Sequence, residues 1–105
     1  MENETDEQRK ESDRLRKRKL GDWRKILSTK EGRRLTWSLL AETGLFRSSF
    51  TANSNQTSFL EGQRDIGLGI LRFVNEADSA AFAQMQREFM SEQPKKENLE
   101  NGEYS

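Results

Sequence analysis

A basic run near the start of the chain has the residue types that could bind phosphate. Residues 14–25 carry seven cations and one acid, Asp22, and the cations are Arg14, Arg16, Lys17, Arg18, Lys19, Arg24 and Lys25. Cations at this density neutralise phosphates and give affinity for nucleic acid without reading its sequence. The alternative is a solvated helix whose cations are balanced by the preceding acids, as at the spacings Asp6–Lys10 and Asp13–Lys17.

A second candidate is a pattern that occurs twice, Ser-x-x-Glu-Gly-x-Arg. Its two copies are Ser28, Glu31, Gly32 and Arg34, and Ser58, Glu61, Gly62 and Arg64. The Ser-x-x-Glu spacing is that of a capping box and predicts a helix start at each copy. Arg34 and Arg64 could then form an anion site at two helix N-termini. The interpretation that we favour is structural: caps and ion pairs among these charges, with Arg33, fix the angle between the two helices.

Catalytic and cofactor chemistry find little support in the sequence. The chain contains no histidine and no cysteine, which argues against thiolate or imidazole metal sites and against Ser-His-Asp and Cys-His catalysis. Gly67 and Gly69 supply two glycines of a dinucleotide-binding fingerprint, but the third glycine is absent and no strand precedes them. We therefore expect no enzymatic activity, no metal and no cofactor.

Aromatic residues are the remaining candidates for contact with a partner, because aromatics anchor many interfaces. In a protein of this size most aromatic side chains are needed for the core. Trp37 and Phe50 are the two that we predict as partner contacts, since Trp37 lies off the main apolar stripe of its helix and Phe50 lies in a polar loop over residues 47–57.

The elements that position these residues are predicted to be helices. Apolar residues recur at helical spacing, as in Leu20, Trp23 and Leu27, and Gly44 followed by an apolar residue predicts a helix stop. In the second helix, Leu35 and Leu39 are expected to form one stripe, with Thr36, Leu40 and Thr43 alongside. The prediction is an all-α bundle of about four helices, at approximately 21–28, 30–43, 58–75 and 79–92.

Gly67 and Gly69 lie inside the predicted third helix, where each costs about 1 kcal/mol relative to alanine. Close approach of another helix, or of an aromatic ring such as Trp23 or Trp37, would offset this cost. At the end of the same helix, Asp78 is predicted to be the N-cap of the fourth.

The composition predicts one small folded unit with polar ends. Only 31% of the residues are hydrophobic and 34% are charged. We expect a charged arm over residues 1–19, frayed or disordered without a partner, a helical domain over 20–92 and a disordered tail over 93–105. No stretch approaches the roughly 20 apolar residues of a membrane span. The acidic N-terminus lacks the pattern of a signal peptide, so we expect a cytosolic site of synthesis.

The middle of the chain resembles the Bbp-type domain, a small family of tailed-bacteriophage structural modules first noted in a Bordetella phage. The similarity is carried by residues 23–35, Leu39 and Leu40, residues 44–50, and a second segment with Glu61, Gly62, Arg64, Gly67, Ile70 and Leu71. Asp78 and Met85 also fit the family pattern. The resemblance covers about residues 20–90, and Thr36 to Ser38 are more polar than the family pattern leads us to expect.

The resemblance implies an all-α, non-enzymatic phage structural or assembly protein, located in the virion and in the host cytoplasm during assembly. Its expected partners are other phage structural proteins, such as portal, tail or ejection proteins, with DNA as a further partner of the basic arm. The alternative is a phage regulatory protein that binds nucleic acid through residues 14–25. The connection between the second and third predicted helices is too long for a helix-turn-helix motif.

Overall fold

The computed structural model describes residues 5–94, and over this range the chain forms four α-helices. They are α1 (Asp6–Leu27), α2 (Lys30–Glu42), α3 (Ser54–Ala77) and α4 (Ala81–Ser91). The predicted all-α fold of about four helices is confirmed. Most of the predicted tail, from residue 95 onwards, lies outside the described residues, as do residues 1–4.

The first helix begins at Asp6, much earlier than the predicted start near residue 21. Thr5 and Gln8 form a capping box, in which the Thr5 hydroxyl accepts the Gln8 amide and the Gln8 side chain accepts the Thr5 amide. Acids lie in the first turn and bases in the last, as the helix dipole favours. The start was missed because residues 6–19 are exposed and show no apolar periodicity.

The predicted capping boxes at Ser28 and Ser58 are wrong. The N-cap of α2 is Thr29, which has the extended backbone that a cap requires and accepts the Gly32 amide at 2.9 Å. Ser28 instead ends α1, and its hydroxyl donates to the Lys25 carbonyl oxygen. Because α3 begins at Ser54 with Asn53 as its cap, Ser58 lies inside the helix. The connection between α2 and α3 is correspondingly shorter than predicted.

The other helix ends agree only in part with the sequence prediction. Gly44 follows α2 with φ +79°. The amide of Gly44 donates to the Ala41 carbonyl oxygen and that of Leu45 to the Leu40 carbonyl oxygen, which confirms the predicted Schellman stop. Asp78 is not the N-cap of α4. It ends α3, and its carboxylate accepts the Ala80 amide from there.

The core lies where all four helices meet. Its buried residues are Leu27, Leu40, Leu45, Val74, Ala81 and Met85. Each fully buried side chain of this size contributes about 1.5–3 kcal/mol. Leu35 and Leu39 are not part of the core, since they are 67% and 50% exposed. The buried stripe of α2 is rotated by one residue from the prediction and runs through Thr36, whose hydroxyl donates to the Gly32 carbonyl oxygen, and Leu40.

Two glycines allow the helices to approach closely. A Cβ atom added to Gly32 would lie under 3.0 Å from the Ile26 carbonyl oxygen, and one added to Gly67 would lie under 3.0 Å from the Thr43 hydroxyl oxygen. The predicted close approach at Gly67 is therefore confirmed, and the partner is the end of α2. The prediction is wrong for Gly69, where an added Cβ would meet only the flexible Arg72 side chain, at 3.8 Å.

Candidate functional site

The predicted basic run is divided between two sides of α1. On the side that faces α3, Arg16 forms an ion pair with Glu76, and Lys19 Nζ lies 4.3 Å from the centre of the Phe73 ring. The Arg24 Nε donates to the Ala77 carbonyl oxygen at 3.1 Å. These three cations therefore have an intramolecular role, which is to hold α1 against α3.

The other side of the same helix points to solvent and is strongly basic. At about 100° per residue, one face collects the following residues. We call them the outward face of α1: Lys10, Arg14, Lys17, Arg18, Gly21, Arg24 and Lys25. Apart from Gly21, which is partly buried, all are exposed. The chain therefore presents exposed cations over about four turns of α1.

Two of the six cations on the outward face are engaged. Arg24, at the edge of the face, donates to the Ala77 carbonyl oxygen. Arg14 forms a bidentate pair with Glu11, which holds the pKa of the Glu11 carboxyl below its usual value. Within residues 5–94, Lys10, Lys17, Arg18 and Lys25 have no ion-pair partner within 4.0 Å. The only acid between residues 14 and 25 is Asp22, which lies at the edge of this face, four residues after Arg18 and three before Lys25.

A groove of about 550 Å³ lies between α2 and α4 and forms a second candidate surface. We call it the α2–α4 groove. Trp37 is at its centre: the ring stacks on Phe46 with centroids 4.7 Å apart and lies 5.4 Å from both Phe82 and Phe89. Phe46 and Phe89 remain 44% and 43% exposed. The groove therefore has an aromatic wall that the chain itself covers only in part.

One rim of the groove is fixed by an ion pair between α2 and α4. Arg33 donates from Nη2 to Glu88 Oε2 at 2.8 Å and from Nε to Glu88 Oε1 at 3.0 Å. A third donor, Nη1, reaches the Leu27 carbonyl oxygen at the end of α1. The hydrogen bonds from Arg33 lower the pKa of Glu88, and those to Glu88 raise the pKa of Arg33. Arg33 thus joins three helices, with only 12% of its side chain exposed.

The rest of the rim carries an excess of positive charge. Lys30 and Arg34 share one acid, Glu92, at 3.7 and 3.9 Å. Both distances are long for an ion pair, and all three side chains are about half exposed. The cations on this rim are therefore only loosely held and remain open to a ligand.

The predicted cluster of charges at two helix starts does not form. Arg33 and Arg34 pair with acids of α4 instead. In the described part of the chain, Glu31, Glu61 and Arg64 form no ion pair within 4.0 Å, and an added Cβ on Gly62 would meet nothing within 4 Å. The two copies of the pattern are not brought together, because α2 packs its N-terminal half on α4 and the end of α1 rather than on the start of α3.

The predicted aromatic contacts lie in different places. Trp37 lines the groove, whereas Phe50 is 80% exposed in the α2–α3 connection and apart from the groove. Phe82, Phe89 and the acids Glu88 and Glu92 were not predicted as partners of α2. The spacing of Phe82, Met85 and Phe89 is that of an apolar helix face, but it does not indicate how much of that face α2 covers.

No site for a metal ion was found within residues 5–94, in the sense of three or more grouped Asp or Glu residues. None of the four helices is both long enough and apolar enough to cross a membrane. The structure thus offers two candidate surfaces: one is a basic helix face, and the other is an aromatic groove.

Residues 23–87 match the family model described as Bbp19-like phage protein. The chain belongs to this family. The predicted resemblance is thereby confirmed, and the chain is a bacteriophage protein. No match was found among curated protein sequences or among solved structures.

The family match covers the two surfaces to different extents. It includes all of α2 and the aromatic residues Trp37, Phe46 and Phe82. It begins only at Trp23, so most of the outward face of α1 precedes it. The groove is thus built largely on the part that this chain shares with its family.

Proposed function

We propose that this Bbp19-like phage protein is a non-enzymatic structural or assembly component of the virion, and that its α2–α4 groove binds another protein of the particle. The observation that carries the proposal is the aromatic wall around Trp37, Phe46 and Phe89. Partly exposed aromatic clusters of this kind are typical anchors of protein interfaces. The portal, tail and ejection proteins are the candidate partners, and the protein reaches the particle from the host cytoplasm during assembly.

The chemistry of the groove defines the partner. An apolar side chain that enters it would contact Trp37 and Phe89, and an acidic residue beside that side chain would meet Lys30 or Arg34. The proposed ligand is therefore an amphipathic helix or short segment with apolar anchors and an acidic flank. Binding of such a helix in a groove uses anchors at intervals of three or four residues.

The first experiment asks whether the protein is in the particle. Virions are purified through a density gradient, and the protein is quantified by mass spectrometry relative to the major capsid protein. We expect a fixed number of copies per particle. Presence in infected cells together with absence from purified particles contradicts the proposal and favours a regulatory role.

The second experiment asks whether the groove is responsible for incorporation into the particle. Arg34→Glu reverses a rim charge of a half-exposed side chain and should leave the fold intact. Arg87→Glu makes the same charge change on α4 outside the groove lining and is the matched control. We expect Arg34→Glu to lower incorporation into particles about tenfold, which corresponds to about 1.4 kcal/mol, and Arg87→Glu to leave it unchanged. Equal incorporation of both variants contradicts a role for the groove.

A further inference from the structure

The outward face of α1 combines a dense set of exposed cations, four of which have no ion-pair partner within residues 5–94, with an absence of apolar side chains. We propose that this face binds the sugar-phosphate backbone of double-stranded DNA without reading its sequence. The site is separate from the α2–α4 groove, because none of its cations lines that groove. The protein therefore has one surface for a protein partner and another for the duplex.

The positions of the cations suit a phosphate backbone. Lys17 and Arg18 form one group, and Arg24 and Lys25 form another one seven residues later, which is about 10 Å along the helix axis. The one acid between residues 17 and 25 is Asp22, at the edge of the face, against four cations in the two groups. A series of phosphates can therefore meet both groups in a region of net positive charge, and each phosphate that is neutralised releases a counterion.

Gly21 lies between the two groups and supports close approach of the ligand. A glycine inside a helix costs about 1 kcal/mol relative to alanine. A Cβ atom added to Gly21 would meet nothing within 4 Å, so packing within residues 5–94 does not require the glycine. Its missing side chain leaves a shallow place on the helix surface, where a phosphate backbone can approach the helix between the flanking cations.

The composition of the face also distinguishes the duplex from other anionic ligands. Binding of single strands uses aromatic side chains that stack on bases, and insertion into a membrane surface uses apolar ones. The outward face as defined has neither, since Leu20 is buried and Trp23 packs against the core. Recognition by charge remains, and the repeated phosphates of a regular duplex backbone match it.

The experiment uses the full chain and a fluorescently labelled 30-base-pair DNA duplex, with binding followed by anisotropy. The four cations without an ion-pair partner predict a slope of about −3.6 in a plot of log affinity against log salt concentration. Affinity should therefore fall roughly 100-fold between 50 and 200 mM KCl. The double variant Lys17→Gln/Arg18→Gln should reduce this slope by about 2 and weaken binding at 50 mM KCl by roughly 100-fold.

Two controls separate the outward face from net charge. Arg16→Gln/Lys19→Gln removes the same charge from the side of α1 that contacts α3, and Arg72→Gln/Arg87→Gln removes it from α3 and α4. We expect both control variants to keep the slope and to lose no more than about fivefold in affinity, as expected for screened charges that do not touch phosphate. Circular dichroism establishes that each variant retains its helices.

Three outcomes overturn the proposal. One is the absence of a change in anisotropy even at 25 mM KCl. Another is an equal loss in the outward variant and in both controls, which means that only net charge matters. The third is tighter binding to single-stranded DNA, duplex RNA or phosphatidylserine vesicles than to duplex DNA. None of these measurements involves the particle or the groove, so their failure is distinct from a failure of the proposed function.

Discussion

The outward face of α1 and the α2–α4 groove are both exposed and both carry cations, but they differ in what holds those cations in place. In the groove, Arg33 is fixed by Glu88 and by the Leu27 carbonyl oxygen, beside a wall of stacked aromatic rings. On the outward face, Lys17 and Arg18 have no ion-pair partner within residues 5–94. The groove is therefore a shaped surface, and the outward face is a charged surface whose only requirement is that α1 remains helical.

This difference indicates which kind of ligand each surface binds. A shaped surface with apolar anchors discriminates between partners by fit. A charged surface without fixed geometry attracts any ligand of opposite charge and is sensitive to salt. A change that shifts α2 relative to its neighbours should accordingly disturb the groove and leave the outward face intact.

The largest effect is expected at the α1–α2 junction. Gly32→Ala places a Cβ against the Ile26 carbonyl oxygen, which is backbone and cannot rotate away, so the free energy of unfolding should fall by about 3 kcal/mol. The matched control is Gly21→Ala, whose Cβ meets nothing and which should raise stability by about 0.5–1 kcal/mol. Urea unfolding followed by tryptophan fluorescence measures both. A Gly32→Ala protein as stable as wild type would show that the junction is not tight.

The contact between α2 and α3 should give the next largest effect. Gly67→Ala places a Cβ against the Thr43 side chain, which can shift by a small amount, and we expect a loss of about 2 kcal/mol. Gly62→Ala is the control on the same helix, and it should be stabilising by about 0.5–1 kcal/mol because its Cβ would have open space. The same unfolding assay applies. Equal effects of the two substitutions would contradict a close contact at Gly67.

A smaller and pH-dependent effect is expected at the Arg33–Glu88 pair. Because the fold lowers the pKa of Glu88 from 4.5, the pair contributes stability above that value and loses it as the pH falls through the lowered pKa. Arg33→Met should therefore lower the thermal midpoint at pH 7 and lower it less at a pH below the lowered pKa of Glu88. Arg87→Met is the control, because Arg87 has no ion-pair partner within residues 5–94. A deficit that is equal at both pH values would contradict a role of the carboxylate.

The smallest effect on stability is expected at the exposed pair on α1. Glu11→Gln removes the partner of Arg14, and exposed pairs of this kind contribute little, so the thermal midpoint should not change measurably. DNA affinity should instead rise roughly tenfold at 50 mM KCl, since Arg14 becomes free to neutralise a phosphate. Glu61→Gln is the control, because Glu61 is exposed on α3 and forms no ion pair within residues 5–94. A similar rise in both variants would show that only net charge matters.

Much of the fold could be predicted from local signals. The stripe of Leu20 and Leu27 and the stop at Gly44 are present as predicted, since each depends on residues close together in the sequence. The close approach at Gly67 was predicted from the cost of a glycine inside a helix, but its partner, Thr43, depends on the fold. Helix starts were harder to predict. Thr29 and Asn53 lie close to serines that could also act as N-caps, and the backbone conformation determines which residue does. The start of α1 could have been found from the Thr5-x-x-Gln8 spacing, which is a capping box with glutamine in place of glutamate.

The candidate surfaces were only partly predictable. The basic run was evident from composition, but its division into an inner and an outward face depends on where α3 packs. Trp37 was predicted as a contact, but its neighbours in the groove were not. Phe46 follows the end of α2, and Phe89, Glu88 and Glu92 are separated from α2 by the whole of α3. No local pattern connects residues so distant in sequence.

The helical character of the chain, the concentration of cations in α1 and the glycines inside the helices follow from the sequence alone, because propensity, charge and side-chain volume are properties of single residues and their near neighbours. Two features depend on the tertiary structure: Arg16 and Lys19 hold α3 while Lys17 and Arg18 face solvent, and Arg33 reaches Glu88 rather than an acid near its own helix start. Burial and pairing depend on which faces of two helices come into contact. A rotation of one residue, about 100°, exchanges a buried side for an exposed one, as Leu35 and Thr36 show.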